Sequence, residues 1–408
     1  MARLSRRQLL GLGAAGLLLP SLGASVAASK RRFLFIHCYG GWDTTRVFQT
    51  NFGSSIVDME PDAVEAEVGG IHFVDHPDRP QVRAFFENYA DRSCIINGIE
   101  VRSVTHERCA RIAMTGSAEG QADDWAAILA GRSPNRYLLP YFVLNGTAFT
   151  AAYTDRVVRV GADGQLGRLL NGSILGDNGF RIPSPGREAA VEAYVRARME
   201  AATGPTAAAA ARALEDLAAL RQEVGDLGIG SYRTGCQQLP SQLSTIWDVF
   251  ERGLARSALM EYRGWCDQGW DSHSNNDRLQ SSNYAELFEL LRQGIADLDR
   301  RSSVDGGSLA DEVVVVLFSE MGRTPQQNSA GGRDHWTFTS ALLFGAGVRG
   351  GQVVGGFDDS GYGSAIDFRT GEALAAGDGL SAANFGATLL ALGDVDPGEV
   401  QPVAAVVA

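Results

Sequence analysis

EVVVVLFSEMGRT, residues 312–324, opens an unbroken apolar run at Val313 and breaks it abruptly at Ser319, Glu320 and Arg323. Four adjacent valines leave no face for water, so the segment reads as a strand buried on both sides, as strands of parallel sheets are. The pattern recurs along the chain. RFLFIH at 32–37 stops at Tyr39-Gly40-Gly41-Trp42-Asp43, SCIIN at 93–97 follows a helix predicted over 80–89, and YFVL at 141–144 follows one predicted over 122–130. Apolar strands alternating with helices predict an α/β fold, a mostly parallel sheet covered on both faces. In such sheets ligands gather beyond the carboxyl ends of the strands.

The helix before 312–318 is predicted by spacing. Tyr284, Leu287, Phe288, Leu291, Ile295 and Leu298 recur at i, i+3, i+4, i+7 and form its core face. Residues 187–227, rich in Ala, Glu and Arg, predict long helices broken near Gly204-Pro205. They belong to a helical insertion over about 187–265, expected to pack on the sheet. No repeat of 20 to 50 residues and no long disordered linker interrupts the chain.

With 408 residues, 45% hydrophobic and 21% charged, the chain can bury a large core. A net charge of −12 excludes a nucleic-acid partner, because no basic stripe exists to replace phosphate counterions. The first residues have a basic start, an apolar stretch from Leu9 to Leu19 and small residues around Ala24 to Ala28, the pattern of a secretory signal. Arg6 and Arg7 ahead of a mildly hydrophobic, Gly-rich stretch make it a twin-arginine (Tat) type, with the Tat translocase as export partner. The apolar stretch is shorter than the roughly 20 residues of a bilayer span. The expected division is therefore a signal over 1–28 and one domain over 29–408, periplasmic or extracytoplasmic, with no stable membrane span after cleavage.

Five cysteines, Cys38, Cys94, Cys109, Cys236 and Cys266, form no CxxC pair, so neither a zinc knuckle nor a disulfide framework is indicated. Export leaves room for one bridge. Cys38 and Cys94, at the ends of predicted strands, read as small core hydrophobes.

Four polar clusters end or follow predicted strands: Gly40-Gly41-Trp42-Asp43, Thr105-His106-Glu107, Trp270-Asp271-Ser272-His273, and Ser319-Glu320-Met321-Gly322-Arg323-Thr324 with Arg333-Asp334-His335. Of six histidines, three fall in these clusters. One Asp beside a His is usually a solvated turn or a local cap. Four such clusters at strand exits point instead to a divalent cation held by carboxylates and imidazoles. There is no Gly-x-Ser-x-Gly elbow, no Walker loop and no Gly-x-Gly-x-x-Gly after a strand. His72-Phe-Val-Asp75-His76-Pro77 reads as the entry to a Pro-initiated helix, with Asp75 or the histidine acting near its start.

The stretch from VVVVLFSEMGRT through GGRDHW to GGQVVGGFD, residues 313–358, resembles the bacterial domain of unknown function family 1501, whose members carry Ser-Glu-Phe-Gly-Arg-Thr, an Asn, then Gly-x-Asp-His, then Gly-Gly-x-x-x-Gly. The Tat-like start, the Gly-Gly turn with Asp43, Asp75-His76-Pro77, Thr105-His106 and Trp270-Asp271-Ser272-His273 occur in the family's order. Residues 150–245 match only in helical character. The family is grouped with alkaline phosphatases and sulfatases, which implies an α/β/α sandwich and a metal-dependent hydrolase of a phosphate or sulfate ester.

Carried over by motif, the resemblance implies Asp43, Asp271, His273, Asp334 and His335 as ligands of a divalent metal (zinc, manganese or calcium). It adds His106 and Glu320 as further donors, Thr105 as nucleophile, and Arg323 as a fork for an oxyanion. The superfamily's phosphatases use another late histidine, whereas none follows His335 here, so Glu320 or His106 would substitute. The residues leave open a non-catalytic exported cell-envelope binding or assembly protein that keeps the same fold.

Overall fold

Arg32–His37 is buried at all six positions, and its residues alternate between two cores: Phe33 and Phe35 enter one, Leu34 and Ile36 the other. That period of two is what a strand covered on both faces requires. The computed structural model describes residues 30–161, 165–170, 184–201, 204–227 and 235–408. The signal expected over 1–28 lies outside the described residues.

The central sheet has eight strands: β1 Arg32–His37, β2 Ser93–Glu100, β3 Tyr141–Val143, β4 Val157–Arg159, β5 Ser257–Glu261, β6 Val313–Phe318, β7 Phe338–Gly345 and β8 Gln352–Gly355. They lie in the order β8-β2-β7-β6-β1-β5-β3-β4. Strand β7 runs antiparallel to β2 and β6, and every other pair is parallel. This has a consequence for the site. The carboxyl ends of the parallel strands and the amino end of β7 meet at one edge, so the segment leading into β7, GGRDHW, arrives there too.

The helices are α1 Pro80–Tyr89, α2 His106–Thr115, α3 Trp125–Gly131, α4 Gln165–Leu170, α5 Pro185–Glu200, α6 Pro205–Leu227, α7 Leu239–Glu251, α8 Asn276–Leu298 and α9 Ala382–Leu392. Val82, Phe85 and Phe86 of α1 share a core with α7 and α8 on one face, while α2, α3 and α9 cover the other. The product is the expected α/β/α sandwich. All six residues of the α8 spacing pattern are buried. Helix α1 starts at Pro80 as expected, but Asp75 does not cap it and instead pairs with Arg83 at 2.7 Å.

The helical insertion expected over about 187–265 ends earlier, with α7 at Glu251. Ser257-Ala-Leu-Met-Glu261 is composed largely of residues that helices accept, yet it forms β5 because the slot between β1 and β3 lets it complete two parallel ladders. Nor does the whole insertion pack on the sheet. Helix α5 buries no residue and exposes Val191 and Tyr194, and Leu220 of α6 packs against the core.

Cys236 and Cys266 form a disulfide, and Cys38, Cys94 and Cys109 are free and buried. Among the described residues, no helix is long and apolar enough to cross a membrane.

Candidate metal centre

The centre is assembled from the loops that leave β1, β2, β5 and β6 and the loop that enters β7. Glu320, two residues past β6, is fully buried. One of its oxygens, Oε1, accepts from the Gly40 amide at 2.8 Å and faces His106 Nδ1 at 2.7 Å, while Oε2 faces His37 Nε2 at 3.2 Å. Burial alone would raise the Glu320 carboxyl, but the bonds from His106 and His37 prevail and hold it at about 2. Gly40 has φ +125, and a Cβ there would press on the backbone of Trp270 and Asp271, so only glycine lets these loops close on each other.

His106 is the first residue of α2. Nδ1 bonds to Glu320, and Nε2 lies 3.5 Å from Asp271 Oδ2. The anionic surroundings favour positive charge at this point, since bonds to Asp271 and then Glu320 push its imidazole up to about 9. Asp271 Oδ1 faces His273 Nε2 at 3.2 Å and His335 Nε2 at 3.3 Å, and accepts from Arg323 Nη2 at 2.7 Å. Its partial burial works upward, but bonds from His106 and Arg323 hold it well below the usual carboxylate range.

His335 donates from Nδ1 to the Val104 carbonyl at 2.7 Å, and His273 Nδ1 lies 2.8 Å from Asp334 Oδ1. The bond from His273 lowers Asp334 from the ordinary aspartate value. With Nδ1 of each imidazole engaged, the Nε2 atoms of His273 and His335 turn toward Asp271 Oδ1 and lie 3.0 Å apart. One donor atom each from His106, Asp271 and His335 lie within 4.8 Å of one another. His273, more exposed, is not one of these three, and faces Asp271 Oδ1 at 3.2 Å.

Three residues singled out by sequence are placed differently. Asp43 is fully buried, ion-paired with Arg46 at 3.0 Å and Arg333 at 3.2 Å, and accepts from the Thr45 hydroxyl at 2.7 Å and Asn276 Nδ2 at 2.7 Å. Burial works against its charge, but Arg333 and Arg46 draw its carboxyl well below the usual range. It is therefore an anchor for buried arginines. Arg323 is also buried, and directs Nε to the Gly41 carbonyl at 2.8 Å, Nη1 to the Arg333 carbonyl at 3.2 Å and Nη2 to the Gly40 carbonyl and Asp271. That makes it a brace for the loops and for Asp271. Thr105 is exposed at the N-cap of α2 without making a capping bond, and its hydroxyl lies 3.4 Å from that of Ser103.

Two contributors escaped the sequence reading. His37 is the last residue of β1, and its position at a carboxyl edge was the available signal. Asn328 donates to the His273 carbonyl at 3.1 Å, and its signal was the Asn of the family 1501 pattern that stands between the Arg-Thr and Asp-His segments.

The fold and site define a class: an α/β/α sandwich with imidazoles and carboxylates converging at the carboxyl edge of its sheet. Residues 255–377 match the family described as Protein of unknown function (DUF1501), the family that the SEMGRT and GGRDHW segments resemble. The matched stretch holds Asp271, His273, Glu320, Asp334 and His335, but not His106.

Among solved structures, the chain is similar to the soluble domain of lipooligosaccharide phosphoethanolamine transferase A from Neisseria meningitidis, at 10% identity and TM-score 0.42, over 93% of this chain and 94% of that one. A lipoteichoic acid synthase from Listeria monocytogenes is similar at 9% identity and TM-score 0.39, over 93% and 76%. A protein in the alkaline phosphatase superfamily from Vibrio parahaemolyticus is similar at 12% identity and TM-score 0.38, over 92% and 69%. A search of curated proteins finds no match. Identities this low transfer no residue roles.

Proposed function

We propose that this chain is an exported hydrolase that uses one divalent cation to act on a phosphate or sulfate ester. The observation that carries the reading is the convergence of His106, His273 and His335 on Asp271, each imidazole tied at Nδ1 so that Nε2 faces inward. Such outer bonds fix the tautomer that binds metal. Zinc fits best. Catalytic zinc takes three nitrogen or oxygen donors from the protein and keeps a fourth position open, and one donor atom each from His106, Asp271 and His335 lie within 4.8 Å of one another. Manganese and calcium favour more oxygen donors.

When bound, the ion would polarise an ester oxygen and offset its charge. The chain's own residues do the rest. Glu320 and Asp334 orient imidazoles, Arg323 steadies Asp271, and Thr105 presents an exposed hydroxyl beside His106, which we assign as the nucleophile. Folding before Tat export would let the cytoplasm choose the cation. The Cys236–Cys266 bridge suits an oxidising compartment.

The test is metal content by mass spectrometry on protein purified from its export route, beside an Asp271→Ala/His335→Ala variant, with hydrolysis of 4-nitrophenyl phosphate and 4-nitrophenyl sulfate. Stoichiometric zinc and activity, both lost in the variant and activity alone lost in Thr105→Ala, support the reading. Absence of metal from both proteins overturns it. A second reading, a non-catalytic binding or assembly protein of the envelope, is favoured by the use of Asp43 and Arg323 in structural contacts, and zinc without hydrolysis would select it.

A further inference from the structure

Beside the metal centre, at the same edge of the sheet, lies a cavity of about 330 Å³ lined by Asn145, Thr147, Gln238, Glu261, Arg263 and Asp267 among others. That volume is in the range of small-molecule sites, about 300–1,000 Å³. Its place follows from register. Glu261 ends β5 directly across from His37 at the end of β1, and His37 holds the same Glu320 that orients His106. Tyr39 stands between them, its ring centroid 5.6 Å from that of His37 and 5.4 Å from that of His106. Along the chain, one loop carries Arg263 and Asp267 of the cavity and then Asp271 and His273 of the centre.

The walls are prearranged. The Glu261 side chain is 9% exposed and accepts from Arg263 Nε at 2.7 Å. Asn145 bridges to β5 in both directions, accepting from the Glu261 amide at 2.7 Å and donating to its carbonyl at 3.1 Å. The Cys236–Cys266 bridge ties the Gln238 wall to the Arg263–Asp267 wall. Gln237, Cys266 and Asp267 around it are all left-handed, with φ of 58, 51 and 61. Backbone held in that region away from glycine is a feature that collects at ligand sites.

The charge pattern selects the ligand. Two carboxylates and one guanidinium leave the cavity with a net negative charge, which disfavours an anionic group. Amides and carboxylates side by side offer donors and acceptors in alternation, the complement of hydroxyls, each of which both donates and accepts. We propose that this cavity is the subsite for the alcohol half of the ester, and that this half is an uncharged, hydroxyl-rich group, a sugar or polyol. The proposal rests on the ester-hydrolase reading for the anionic half only; the cavity's preference for hydroxyls stands on its own lining.

The experiment uses the mature chain with zinc and a panel of glucose, galactose, N-acetylglucosamine and glycerol, with binding followed by saturation-transfer NMR. It compares wild type, His335→Ala, and Arg263→Ala/Gln238→Ala, whose thermal midpoint and zinc content report that it folds. Saturable binding of at least one sugar or polyol is expected in wild type and His335→Ala, weakened at least tenfold in the cavity variant. With glucose 6-phosphate as substrate, the cavity variant should raise KM about tenfold, more than for 4-nitrophenyl phosphate, whose aryl group carries no hydroxyls for the cavity to bind. No saturable binding by any member of the panel, or binding unaffected by the cavity variant, overturns the proposal. Zinc and 4-nitrophenyl phosphate hydrolysis would survive that failure. Conversely, sugar binding that depends on Arg263 and Gln238 in a protein without zinc would keep the subsite and remove the hydrolase.

Discussion

The Nε2 atoms of His273 and His335 face each other at 3.0 Å, while Asp334 and the Val104 carbonyl occupy the opposite nitrogens. A cation held by both nitrogens would satisfy this facing pair. Asp334 thus acts through His273, whereas His335 contributes a donor itself. We expect Asp334→Asn to weaken zinc binding about 10–100-fold and His335→Ala to abolish stoichiometric zinc. Competition with a chromogenic chelator measures both, and equal losses in the two variants would contradict the division of roles.

Asp43 leads to the opposite expectation. It pairs with Arg46 and Arg333, both buried; Arg46 keeps Glu60 and Asp277, but Asp43→Asn takes from Arg333 its ion-pair partner in the interior. The variant should lose about 3–5 kcal/mol of stability while the folded fraction keeps its zinc. Urea denaturation and metal analysis on the same sample decide the matter. A variant of ordinary stability that has lost zinc would restore Asp43 as a ligand.

These two aspartates show what could be read from sequence. Asp43 and Asp271 both follow a tryptophan in a turn near a strand end, and nothing local separates them. Their difference is long-range: Arg333, from the loop before β7, reaches Asp43, while His106 and His335 reach Asp271. The strands β1 and β6 were legible because continuous apolar runs admit few other readings, and α8 because its spacing is regular. Strand β5 was hidden by helix-tolerant residues, and the antiparallel run of β7 by the lack of any local signal for direction. Arg323 looked like a free anion fork because its burial depends on the Gly40–Gly41 turn, far away in the chain.

The disulfide closes a segment with a sequence separation of 30, which includes all of α7. Cross-linking a loop of that size restricts the unfolded chain by about 3–4 kcal/mol. The Cys236→Ser/Cys266→Ser variant should lower the urea midpoint accordingly, and reductant should do the same to wild type but not to the variant. Zinc content should not change, because neither cysteine touches the imidazoles. A midpoint indifferent to reductant would show that the bridge contributes nothing.

Asp124 provides the pH test, away from the metal centre. It is buried at the start of α3 and accepts from the Ala127 amide at 2.8 Å, the Phe149 amide at 2.9 Å and the Tyr141 hydroxyl at 3.0 Å. Burial outweighs these bonds and pushes its carboxyl up to about 7, against about 3.9 when unfolded. Between those values the folded chain binds a proton that the unfolded chain has released, so this group's contribution is fully present below about pH 4 and lost as pH rises through about 7. Wild type should therefore lose stability relative to Asp124→Asn on going from about pH 5 to about pH 8, by at least about 1 kcal/mol. Urea denaturation of both proteins at the two pH values gives the difference directly. A difference independent of pH would mean that the three donors keep the carboxylate ionised throughout, with bonding rather than burial governing the site.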